Sequence, residues 1–127
     1  MPLTLLSIAA FAALGAWTRY GQTLLVQAMF GRAFPWATLS INVLGSFLMG
    51  FLFFATLERV NLSPELRTGL LTGGLGAYTT FSTFSLETTN LFEGGEALRG
   101  LLYIGASVLL SLFAAMLGAF LSRNLGA

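Results

Sequence analysis

Four long apolar stretches, at residues 3–30, 36–57, 66–89 and 98–121, alternate with short polar breaks. Each stretch reaches the roughly 20 mostly apolar residues that a helix needs to cross a bilayer. The connections, at 31–35, 58–65 and 90–97, leave nothing over for a soluble domain. The pattern predicts one unit over 1–127, an all-α membrane protein of four transmembrane helices. The first stretch lacks a basic lead-in and runs past signal-peptide length, so it is expected to be retained.

Polar positions inside the stretches are ordered. Thr38, Asn42 and Ser46 fall at i, i+4 and i+8, a single stripe on an otherwise apolar helix. Tyr103, Ser107 and Ser111 repeat that spacing in the fourth stretch. One such stripe reads as interhelical hydrogen bonding, worth about 0.6 kcal/mol per bond on average. Two of the same period suggest facing walls of one wet track.

The third stretch departs from the rest. Its core, GLLTGGLGAYTTFSTFS from Gly69 to Ser85, is crowded with glycine and hydroxyl residues. Non-helical backbone survives at membrane depth only where protein buries it or where it lines a wet cavity. The helix is therefore expected to break near its middle, around 76–80, and to release carbonyls there. Such oxygens suit an alkali cation. Gly69 and Gly73 also form a GxxxG spacing, so a close-packing face is the alternative.

After the glycines, Phe81 and Phe84 lie three apart among Thr79, Thr80, Ser82, Thr83 and Ser85. Aromatic rings are positive at their edges. Ring edges, hydroxyls and the Asn42 amide together would hold an anion without trapping it, as conduction requires.

Charge narrows the picture. Charged residues make up 9% of the chain and hydrophobic ones 56%. All six cations are arginine, all five anions are glutamate, and Lys, Asp, His and Cys are absent. This removes the common zinc, iron and copper ligands and every imidazole or thiol mechanism, so an enzyme is not expected. Arg19 lies well inside the first stretch, where a charge costs about 2.5–3.5 kcal/mol on insertion scales. It either snorkels beside Trp17 and Tyr20 or faces a vestibule and draws anions inward. With four spans, one side carries Arg59, Arg67 and Arg123 and the other Arg32 and Arg99, almost no bias of the kind that orients membrane proteins. That balance is compatible with insertion both ways and an antiparallel homodimer.

The segments GAWTRY, TLSINVLGSFLMG and GLLTGGLGAYTTFSTFS, with the Tyr103–Ser107–Ser111 stripe, resemble the CrcB (Fluc) family of bacterial fluoride channels over nearly the whole chain. The resemblance implies a dual-topology homodimer in the bacterial inner membrane. It implies two antiparallel pores for passive fluoride efflux and a structural sodium ion at the dimer centre. The sodium ligands would be the carbonyls of Gly76 and Thr79. Phe81, Phe84 and Asn42 would match the pore residues, Tyr103, Ser107 and Ser111 the polar track, and Arg19 the first-helix arginine. Thr38, Thr80, Ser82 and Thr83 are added to the pore from the stripes and the hydroxyl run. Fluoride, a second copy of the chain and lipid are the expected partners, and nucleic acid is not. The alternative is a small dual-topology proton-coupled exporter, which needs a membrane carboxylate. Glu87 is the one acid near a span interior and is expected to be interfacial.

Overall fold

The computed structural model describes residues 1–125, so the last two residues of the expected unit lie outside the described residues. In chain order the helices are α1 (Pro2–Phe30), α2 (Trp36–Glu58), α3 (Pro64–Thr68), α4 (Gly76–Tyr78), α5 (Phe81–Glu93) and α6 (Ala97–Leu125). A π-helical segment, Gly69–Leu75, joins α3 to α4 without a gap. No strand occurs among the described residues. α1, α2 and α6 are long and apolar enough to cross a membrane. The third stretch forms a composite of shorter helical pieces instead. It runs helically from Pro64 to Tyr78, is interrupted at Thr79 and Thr80, and resumes at Phe81.

Helices overrun the apolar stretches at several ends. The third stretch begins earlier because Ser63 caps α3, accepting the Leu66 N–H at 3.2 Å, and Pro64 has no N–H to leave unpaired. α5 continues through Asn90 to Glu93 and closes where the Gly94 N–H bonds the Asn90 carbonyl at 2.9 Å. Hydropathy marks where water begins, and a helix does not have to stop there.

Glycines set the packing. Gly50 lies on the Ala115 backbone and Gly118 on the Phe47 backbone, which brings α2 and α6 close enough that any Cβ would collide. α1 lies equally close to the π-helical segment, through Gly73 on Ile8, Gly69 on Ser7 and Gly15 on the Gly74 carbonyl. Small residues at such contacts let backbones approach where burial gives no driving force between helices. Both sequence alternatives for the glycine run are therefore realised: Gly69 and Gly73 are a packing face, and the helix still breaks beyond them.

Two small cores result. Ile41, Leu71, Leu75 and Tyr78 form one, while Leu39, Phe84 and Tyr103 form the other. Leu3, Leu25, Leu109 and Phe120 point outward, as expected of side chains facing lipid. At one end, Arg59 bonds the Ser122 carbonyl and hydroxyl, Arg67 bonds Thr56 Oγ1 at 2.9 Å, and Arg123 stacks 3.7 Å from the Phe54 ring centre. Among the described residues the ion pair is Arg99–Glu96, at 2.8 Å.

Candidate functional site

The break is made by two consecutive threonines in extended conformation. Thr79 has φ −84° and ψ 160°, and Thr80 has φ −152° and ψ 119°. β-branched residues favour such angles, and here the Thr80 side chain also caps the helix that follows. Thr79 Oγ1 donates to the Leu75 carbonyl at 2.9 Å, finishing α4. Thr80 Oγ1 accepts the Thr83 N–H at 3.2 Å, capping α5.

Asn42 of α2 clamps the interruption. Its Nδ2 donates to the Thr80 carbonyl at 2.9 Å, and its Oδ1 accepts the Thr80 N–H at 2.8 Å. In a continuous helix that N–H would close on the Gly76 carbonyl. Diverting it frees the Gly76 oxygen, on an exposed residue of the chain. Arg19 of α1 donates from Nε to the next carbonyl, Ala77, at 3.2 Å. The guanidinium thus holds backbone at the break, a use that neither sequence reading of Arg19 contained. Asn42, read from sequence either as an interhelical bond or as a pore donor, has one N–H and its oxygen committed to Thr80.

Beside the break lies a cleft of about 460 Å³, between α2 and α6. Asn42, Gly45, Ser46 and Met49 form one wall, and Ser107, Ser111 and Ala115 form another. Thr79, Thr80, Phe81 and Phe84 close its side at the break. The two phenylalanine rings are 5.4 Å apart, but Phe84 is in the core while Phe81 is 78% exposed. The Ser107 hydroxyl is buried and has no hydrogen-bond partner among the described residues. An unpaired hydroxyl in an aromatic-lined cleft is a donor free for an anion.

The remaining predicted site residues stand behind this wall. Tyr103 is fully buried, its ring 5.1 Å from Phe84, and its hydroxyl donates to Glu87 Oε1 at 2.9 Å. Glu87 is half-buried and paired across α5 and α6, where the phenol supplies a donor to its carboxylate. Thr38 is buried on α2. Thr83 accepts the Thr80 hydroxyl at 3.1 Å, and Ser82 is exposed 3.3 Å from the same hydroxyl. The cleft thus gathers Asn42, Thr80, Phe81, Phe84, Ser107 and Ser111, and leaves Thr38, Ser82, Thr83, Tyr103 and Arg19 outside its wall.

Two residues at the break escaped the sequence reading. The Tyr78 hydroxyl bonds Gln22 Oε1 on α1, and Gln22 Nε2 reaches Ser40 Oγ on α2 at 3.1 Å. A signal existed: Gln22 lies three residues after Arg19, on the same helical face.

The chain matches the family model described as CrcB-like protein, Camphor Resistance (CrcB), over residues 6–119. A protein of Acidithiobacillus ferrooxidans named fluoride-specific ion channel FluC is 74% identical over 117 residues, covering 92% of this chain and 94% of its own. Proteins of the same name from Magnetococcus marinus and Geobacter sulfurreducens are 50% and 48% identical, over 91% and 96% of this chain and 94% and 98% of theirs.

Proposed function

The chain belongs to the CrcB-like family, and on that premise we propose that it is a fluoride-selective ion channel releasing cytoplasmic fluoride passively down its gradient. It is a multi-pass protein of the bacterial inner membrane and not an enzyme. The observation that carries the reading is the cleft, where Ser107, whose buried hydroxyl has no partner among the described residues, lines the same space as Phe81, Phe84 and Asn42. Fluoride holds water so tightly that bare transfer to a dry medium would cost tens of kcal/mol. Hydroxyls, an amide and ring edges replace that shell in portions, and no fixed cation stands among the cleft-lining residues to trap the ion.

A second copy of the chain completes the pore in this reading. The cleft is open along its side, and Phe81 projects from the chain at 78% exposure beside it. A ring that large is well suited to enter the partner's cleft. An antiparallel arrangement is supported by the near-even arginine balance, three against two across the membrane. A sodium ion at the two-fold axis would be held by Gly76 and Thr79 carbonyls from both copies. The freed Gly76 carbonyl fits that role, since uncharged hard oxygens are the ligands an alkali cation takes.

The test is efflux from liposomes containing the purified protein, with fluoride and chloride measured side by side. Rapid fluoride release with little chloride release is expected. Equal release of both would refute selectivity, and release of neither would refute the channel. Exhaustive sodium removal is expected to impair assembly or flux; an unaffected dimer at full rate would eliminate the carbonyl site.

A further inference from the structure

We infer that Tyr78 and Gln22 form a strut that positions the break, and so the freed Gly76 carbonyl, between α1 and α2. Tyr78 is the last helical residue before the interruption, and its side chain is only 5% exposed. Its ring lies across Gly45 of α2, where a Cβ would meet ring carbons at 3.2 and 3.3 Å. Its backbone N lies 3.1 Å from where a Cβ on Gly15 of α1 would stand. The residue is therefore wedged between two glycine surfaces, one on each neighbouring helix.

A wedge fixes depth but not rotation about its own axis. The hydroxyl supplies the second constraint by bonding Gln22 Oε1. Gln22 is itself oriented, because its Nε2 donates to Ser40 Oγ at 3.1 Å and Ser40 donates onward to the Ala37 carbonyl at 2.8 Å. The phenol thus ends a chain of hydrogen bonds anchored in the first turn of α2. Arg19, one turn before Gln22, holds the Ala77 carbonyl from the same helix. Asn42 holds Thr80 from α2. Residues 77, 78 and 80 are each fixed by a different side chain, and Gly76, immediately before them, inherits its direction.

The strut rests on the sodium and pore reading above for what the break does, though not for its geometry. Tyr78 and Gln22 act through the backbone and are positioning residues. Removing the hydroxyl leaves the ring wedged, so Tyr78→Phe should fold. The loss belongs to the orientation of the break and should appear in both fluoride rate and sodium requirement.

The experiment is a double-mutant cycle in liposomes with Tyr78→Phe, Gln22→Leu and the pair, following fluoride efflux and the sodium concentration at half-maximal rate. Gel filtration checks assembly. Tyr78→Phe is expected to lower the rate about threefold, the equivalent of an interhelical hydrogen bond of roughly 0.6 kcal/mol, Gln22→Leu at least as much since it also loses the Ser40 bond, and both to raise the sodium midpoint. The pair should match Gln22→Leu alone, because that variant has already lost the Tyr78 bond along with its own bond to Ser40. Multiplicative effects would overturn the strut, as would wild-type rates in both singles or a Tyr78→Phe protein that no longer assembles. If the wild type itself ignores sodium, the sodium reading fails, and non-additivity of the fluoride rates alone then decides the strut.

Discussion

Asn42→Ala tests the break most directly. The substitution removes both bonds to Thr80, at 2.8 and 2.9 Å. As ordinary interhelical bonds in a membrane these would be worth about 0.6 kcal/mol each. Their loss also strands the Thr80 N–H, and an unsatisfied buried group costs about 1–3 kcal/mol. The Thr80 N–H has a way out, since it can close on the Gly76 carbonyl and extend α4. That rescue erases the break and the free oxygen with it. The Thr80 carbonyl keeps its intrahelical partner as the N-cap of α5, so the penalty rests on the two lost bonds and on the Thr80 N–H for as long as the break persists, and the broken conformation should lose roughly 2 kcal/mol, about thirtyfold in population. Fluoride efflux from liposomes, read with an ion-selective electrode, should fall by that order while the protein still purifies as the wild type does. Asn42→Asp keeps an acceptor for the N–H and loses the donor, and should be intermediate in amide exchange at Thr80. A wild-type fluoride rate in Asn42→Ala would refute the clamp, whatever its effect on stability.

Three further outcomes follow from the packing. Phe81→Ile should cut fluoride efflux at least tenfold with little change in the stability of a single chain, because the ring is 78% exposed there; Phe84→Ile, in the core against Tyr103, should lose both, and equal stability losses would contradict the placement. Gly118→Leu should abolish the folded protein, since a side chain there meets the Phe47 backbone; recovery of folded protein in normal yield would show that α2 and α6 are not held this close. Glu87→Gln keeps an acceptor for the Tyr103 hydroxyl, so fluoride efflux should persist with an unchanged pH profile, and loss of flux together with its pH dependence would revive a proton-coupled exporter.

Hydropathy displayed the spans because length and apolarity are properties of single stretches. The break was legible too, from glycine followed by Thr79 and Thr80, since both residue types oppose a continuous helix in identifiable ways. Its position shifted to the end of the expected window: Gly76, Ala77 and Tyr78 stay helical. The π-helical segment before it was not legible. Nothing local distinguishes Gly69–Leu75 from an ordinary glycine-rich helix, and the widened turn accompanies the seating of Gly69, Gly73 and Gly74 on α1. Arg19 shows the same boundary. Its depth in an apolar stretch announced a partner, but only the fold reveals that the partner is the Ala77 carbonyl.

The polar stripes explain why site residues were harder to sort than spans. A hydroxyl in a membrane serves its own chain first, because an unsatisfied backbone group is costly there. Ser85, Thr88 and Thr89 return to carbonyls four residues back, Thr80 caps α5, Asn42 holds Thr80, and Tyr103 is taken by Glu87. Ser107, at the same spacing and of the same chemical type, is buried and unpaired. Sequence writes structural and ion-facing donors with the same letters, so a stripe states how many donors exist and on which face. Which of them remain for an ion is what is left after the break and the helix ends have been satisfied. Thr79 and Thr80 therefore matter twice, first by interrupting the helix and then by absorbing donors that would otherwise face the cleft.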